Sequence, residues 1–117
     1  MINIENYKPN SKLTKDILRA NNFKYIDGYY SYRFPVYKYK KTPVLWCNIY
    51  INLESNCCNY NVTDSNFKIY PAFFDREYGG VNKVVENIDR KIRTQLNIFI
   101  KDEILVRNKK NKKKGRV

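Results

Sequence analysis

The chain changes hydrophobic period twice. Between Ser11 and Ala20 the apolar positions Leu13, Ile17, Leu18 and Ala20 fall at helical spacing. Asn10 or Ser11 is placed to cap this helix, because a short polar side chain accepts the free amide hydrogens of the first turn. Asn21-Asn22 supplies the stop, since Asn tolerates the left-handed conformation. From Phe23 the period becomes two. A short strand Phe23–Ile26 meets a turn at Asp27-Gly28. In the next strand Tyr30, Tyr32, Phe34 and Val36 alternate with Tyr29, Ser31, Arg33 and Tyr37. After Pro35 the aromatics move to odd positions, Tyr37 and Tyr39. Pro lacks the amide hydrogen that a ladder needs, so a bulge is expected there. A bulge at Pro35 would bring Tyr37 and Tyr39 to the face of Tyr30, Tyr32 and Phe34 and leave Lys38 and Lys40 in water.

Lys41-Thr42-Pro43 reads as the next turn. Val44–Leu53 follows with the clearest alternation in the chain. Leu45, Cys47, Ile49, Ile51 and Leu53 form a purely apolar set that should face a core. Val44, Trp46, Asn48, Tyr50 and Asn52 should be partly exposed. Glu54-Ser55-Asn56 turns the chain into two shorter strands, Cys58–Thr63 and Phe67–Phe74, around Asp64-Ser65-Asn66. Gly79-Gly80 breaks the pattern. The period then returns to 3.6: Val81, Val84, Val85, Ile88, Ile92, Leu96 and Phe99 define an amphipathic helix ending near Asp102–Glu103. Glu86 with Arg90 and Asp89 with Arg93 sit four apart on its wet side. Ile104, Leu105 and Val106 add a last apolar contact.

These elements predict an α+β fold. A short N-terminal helix precedes an antiparallel sheet of three to five strands, and a long C-terminal helix packs on one face of that sheet. Residues 1–105 form the single domain. Residues 106–117 form a basic tail.

Charge sharpens the picture. The net charge is +12, and Arg107, Lys109, Lys110, Lys112, Lys113, Lys114 and Arg116 all lie in that tail, which has no acid. Such a segment pairs with phosphates and releases counterions without sequence preference. The stretch Tyr29–Lys41 is a second candidate contact. Tyr29, Tyr37, Tyr39 and Trp46 can stack bases while Arg33, Lys38, Lys40 and Lys41 hold the backbone. Tyr30, Tyr32 and Phe34 are assigned to the core instead. The expected partner is therefore RNA or DNA, or a nucleoprotein complex.

Other chemistries fit poorly. The chain has no His, so an ordinary base for nucleophilic catalysis is missing. There is no Gly-x-Ser-x-Gly elbow. Cys47, Cys57 and Cys58 form no Cys-x-x-Cys pair, so no metal site and no cofactor is expected. Asp75, Glu77 and Glu54 are the carboxylates a metal nuclease would need to cluster. Gly79-Gly80 ahead of the helix has the simple reading of a turn. The protein is read as a binder and not an enzyme. No apolar run of about 18 residues exists to cross a membrane. The opening MINIENYKPN lacks the apolar region of a signal peptide, so a cytoplasmic location is expected.

The helix–sheet–helix order with positive charge is similar to the double-stranded-RNA-binding domain. That family has a lysine-rich cluster where this chain reads Gly79-Gly80-Val81-Asn82-Lys83, so its binding residues are not carried over. The segments YYSYRFPVYKYKKTPVLWCNIYIN and NFKIYPAFFDREYGGVNKVVENIDRKI, within residues 25–100, resemble small proteins of phages and mobile elements in low-GC bacteria. Proteins of that kind include inhibitors of host defence. The resemblance implies an anti-CRISPR-like inhibitor that engages nucleic acid or a ribonucleoprotein such as a CRISPR effector in the host cytoplasm. A structural component of a virion or ribosome-like assembly is the alternative.

Overall fold

The computed structural model describes residues 4–71 and 83–108. Within them the chain is α+β, with antiparallel sheets of four and two strands. A 3-10 turn, Ile4–Asn6, leads into β1 (Tyr7–Pro9), α1 (Lys15–Ala20), β2 (Lys24–Ile26), β3 (Tyr29–Tyr39), β4 (Thr42–Asn52) and β5 (Cys57–Thr63). Then come α2 (Lys83–Lys101) and β6 (Leu105–Arg107). The four-stranded sheet is a meander in the order β2-β3-β4-β5, and β1 pairs with β6 in the smaller sheet.

The second sheet departs from the sequence expectation of one. Tyr7 pairs with Arg107 and Pro9 with Leu105. Asn10 N–H donates to Ile104 O, and Asn108 N–H to Asn6 O, so the two ends of the described chain are laced together. The boundary drawn after Leu105 falls inside β6. Ordered pairing therefore runs on through Arg107.

Helix α1 starts later than its apolar spacing implies. Asn10 spends its side-chain oxygen on Lys12 N–H and its carbonyl on Leu13 N–H, which makes a separate turn. Thr14 is the true cap, accepting from Ile17 N–H at 3.2 Å. Both helices end alike. Asn22 and Glu103 take φ of 71° and 65°, and the next residue's amide reaches back five positions, Phe23 to Leu18 and Ile104 to Phe99. That geometry satisfies the last carbonyls and drives an apolar residue inward. Phe23 and Ile104 are accordingly buried.

The core lies between α2 and one face of the large sheet. Val85, Ile88, Ile92, Leu96 and Phe99 form the buried stripe of α2. They join Tyr30, Leu45, Cys47, Ile49, Ile51 and Val62 from the sheet. Burying each large aliphatic side chain contributes about 1.5–3 kcal/mol. Phe99 stands edge-on to Tyr32 at 5.2 Å and lies 5.3 Å from Phe23, so the segment that follows α1, the sheet and α2 meet at one aromatic cluster. On the wet side Arg93 Nε reaches Asp89 at 2.7 Å. Arg90 pairs with Asn87 rather than Glu86.

Two local expectations need correction. The register of β3 on β4 shifts on either side of Tyr37, so the bulge is centred just beyond Pro35 and leaves Val36 buried. Tyr37 is half-buried against the core, but Tyr39 is 59% exposed, because the strand has by then reached the hairpin tip. After β5 the described chain makes only an isolated bridge, Thr63 with Ile69, where a strand Phe67–Phe74 was expected. Residues 72–74, Gly79-Gly80, Val81, Asp75 and Glu77 lie outside the described residues.

Candidate nucleic-acid interface

The large sheet has a second face that α2 does not cover. Strand parity puts Lys24 and Ile26 of β2, Tyr29, Ser31 and Arg33 of β3, and Trp46, Asn48 and Tyr50 of β4 on that side. These residues, with Asn22, Asp27 and Phe67, line a groove of about 890 Å³. It is an aromatic and amide surface in which Tyr29 meets Tyr50 edge-on at 6.2 Å.

The groove is organised around Arg33. Its guanidinium carbon lies 4.7 Å from the Trp46 ring and 4.1 Å from the Phe67 ring. Nη1 donates to Asn48 Oδ1 at 2.7 Å and Thr63 Oγ1 at 3.1 Å. Nη2 donates to the Asp64 carbonyl at 3.1 Å. The register explains the convergence. Arg33 sits opposite Asn48, and Asn48 opposite Asn61, so a polar row crosses three strands. Asn48 Nδ2 in turn donates to Asn61 Oδ1 at 2.8 Å and Thr63 Oγ1 at 2.9 Å. Asn48 is only 3% exposed, although its set of alternating positions was expected to be partly open. Arg33 is what covers it. Burial lowers the pKa of Arg33 from the ordinary guanidinium value, and Tyr50 and Asp64 push it back up. Arginine remains the cation throughout.

Phe67 reaches Arg33 through a wound loop. Asp64 Oδ1 accepts from Asn66 N–H and Lys68 N–H, and Asp64 O accepts from Phe67 N–H. Phe67 is driven to φ 64° and is left 64% exposed. A bulky residue in the left-handed region is strained, and such strain concentrates at functional positions.

The remaining sequence candidates fall into separate groups. Lys38, Tyr39, Lys40 and Lys41 gather at the β3–β4 hairpin tip, and all are exposed. The turn residues are Lys40 and Lys41, with φ of 51° and 69°, one position earlier than the pattern indicated. Lys40 Nζ lies 5.4 Å from the Tyr39 ring. Tyr37 and Lys38 face α2, lining a smaller cleft of about 450 Å³ with Asn87, Arg90, Lys91 and Thr94. Arg107 is on the small sheet, 5.6 Å from the Tyr7 ring and bonded to Asn97 Oδ1. Lys109, Lys110, Lys112, Lys113, Lys114 and Arg116 lie outside the described residues. Arg33 is thus a clamped residue and not a loose surface cation. Phe67, Tyr50, Asn48, Asn61 and Thr63 were not foreseen as site residues. The placement of Tyr50 and Asn48 opposite Ser31 and Arg33 was readable only once the hairpin register was known.

No protein-family model matches the chain, and no curated protein matches it. Among solved structures, the crystal structure of a DUF1831 family protein from Lactobacillus plantarum is similar, with a TM-score of 0.60 at 14% identity. The match covers 87% of this chain and 86% of that one. At that identity the likeness is one of fold. Among the described residues no helix is long and apolar enough to cross a membrane.

Proposed function

We propose that this protein binds single-stranded nucleic acid, free or within a ribonucleoprotein, across the open face of its large sheet. The observation that carries the reading is the groove around Arg33. It offers flat rings at Trp46, Tyr29, Tyr50 and Phe67 beside the cations Lys24 and Arg33. Rings stack bases of any sequence at about 1–3 kcal/mol per base, and cations hold the phosphates between them. The exposed lysines of the hairpin tip and the basic run Lys109–Arg116 extend the attraction along a strand. The resemblance of residues 25–100 to proteins of mobile elements supports inhibition of a host defence complex, such as a CRISPR effector, as the setting. On this reading the protein acts by occupying its partner and not by catalysis.

Trp46 is the single tryptophan of the chain, so its emission reports on the groove. Titration with single-stranded RNA, single-stranded DNA and duplex across a salt series should quench it, the single strands most strongly. A full-length variant with glutamine for the six bases of Lys109–Arg116 should bind more weakly and still quench. If that variant loses all binding, the tail is the sole contact and the sheet-face reading fails.

A further inference from the structure

Arg33 has a fork of donors left over. A guanidinium carries five N–H groups. Three of them go to Asn48, Thr63 and the Asp64 carbonyl. Nη1 and Nη2 reach the adjacent residues Thr63 and Asp64, so that edge of the guanidinium is occupied. The Nε–H and one Nη2–H remain without a protein acceptor among the described residues, on a side chain that lines the groove. The guanidinium also lies against the Trp46 and Phe67 rings, 4.7 Å and 4.1 Å from its carbon.

We infer that this fork reads guanine in a bound strand, through the O6 and N7 acceptors of the base. Guanine presents two acceptors on one edge at the spacing of two guanidinium donors. Adenine presents an acceptor beside an amine, which would set a donor against a donor. A phosphate could also take the fork, but the fork lies beside the Trp46 and Phe67 rings and opens on a groove lined by further rings. A flat base extends that aromatic surface by stacking, and a tetrahedral group does not. Tyr29 and Tyr50 line the same groove and offer stacking surface to a neighbouring base. Asn48, Asn61 and Thr63 then act as positioning residues, because they hold the fork without touching the base.

This inference rests on the strand-binding reading, and one experiment separates the two. Trp46 emission is titrated with oligouridine carrying a single guanine, inosine, 7-deazaguanine or adenine. Inosine keeps O6 and N7, whereas 7-deazaguanine loses N7. Guanine and inosine should bind alike, with adenine and 7-deazaguanine weaker by roughly tenfold. Arg33→Lys keeps the charge and removes the fork. It should abolish the preference, so that the guanine and adenine strands bind the variant alike, whatever the common affinity. The base analogues carry the test by themselves if that variant is unfolded by circular dichroism. Equal binding of all four strands overturns the guanine assignment and leaves strand binding standing. A 7-deazaguanine strand that matches guanine also overturns it. Absence of binding by every strand overturns the underlying reading. Guanosine monophosphate alone should bind far more weakly than the guanine strand; equal affinity would assign the groove to a free nucleotide and overturn the strand.

Discussion

The Phe67 ring lies 4.1 Å from the Arg33 guanidinium carbon while the Phe67 backbone is held at φ 64°. The contact and the strain belong to one residue, so they can be pulled apart. Phe67→Gly removes the ring and relieves the backbone. The lost cation–π contact is worth about 0.5–1 kcal/mol at an exposed site. The left-handed strain it relieves is of order 1–3 kcal/mol. Stability should therefore hold or rise by about 1 kcal/mol, while affinity for a single strand falls. Phe67→Ala keeps the strained φ and should lower both. Denaturant midpoints beside Trp46 titrations check the pair. A glycine variant that is clearly destabilised would mean that the ring anchors the loop rather than waiting for a ligand.

Asn48 is the keystone of the polar row. It is buried and bonded to Arg33, Asn61 and Thr63. Asn48→Ala leaves those partners short of a bond in a water-poor place, which costs about 1–3 kcal/mol. Asn48→Asp keeps the acceptor for Arg33 but loses the donor to Thr63 and Asn61. It should fall between alanine and the wild type. Urea unfolding with an unchanged slope is the check. A shift below about 0.5 kcal/mol for the alanine variant would show that water replaces the network.

The hairpin tip is built from residues poorly suited to it. A two-residue turn that places both central residues at positive φ favours Asn-Gly. Here Lys40 and Lys41 occupy it, at 51° and 69°. Lys40→Asn with Lys41→Gly should stabilise the fold by about 1 kcal/mol, read as a higher thermal midpoint. If the tip touches phosphates, the same change should flatten the salt dependence of single-strand binding by roughly 0.7 per lysine removed. A stabilised variant with an unchanged salt slope would take the tip out of the interface.

That turn also explains what the sequence disclosed and what it withheld. In β4, Leu45, Cys47, Ile49 and Ile51 are readable because one face is wholly apolar and one wet, so alternation fixes their direction. Along α2, Val85, Ile88, Ile92, Leu96 and Phe99 are readable for the same reason at a period of 3.6. Asp27-Gly28 is readable because its φ values of 52° and 87° suit those residues. Lys40-Lys41 gives no such signal, and the bulge beyond Pro35 slips the register again. Without both, nothing in the chain says that Arg33 faces Asn48. Strands β1 and β6 are three residues each and join distant ends of the chain, so neither carries a pattern of its own. Phe67 reaches Arg33 only because Asp64 winds the loop between them, and a polar–aromatic loop has no periodicity to announce it.

The three thiols should differ sharply in reactivity. Cys57 is exposed, with Ser55 Oγ 3.0 Å from its sulfur, while Cys47 and Cys58 are buried. Burial, and secondarily a neighbouring thiol, raises both buried groups; the Cys58 pKa is pushed up to about 12 from an ordinary 9.0. A thiol reagent at neutral pH should therefore modify Cys57 alone in the native protein and all three in denaturant, because the thiolate is the attacking form. The same shifts set an alkaline limit. Above about pH 9 the unfolded chain releases these protons while the folded chain retains them, so the native state binds more protons and loses stability as pH rises. The loss should accumulate from about pH 9 towards about pH 12 as the folded Cys58 itself titrates. Replacing Cys47 and Cys58 together with Val and Ala removes two titrating groups from that window, leaving the half-buried Tyr60 phenol, also raised by desolvation, to act at higher pH. Unfolding midpoints at pH 7 and pH 10 test this. The drop between them should shrink in the double variant, and an equal drop would place the alkaline limit on groups other than the thiols.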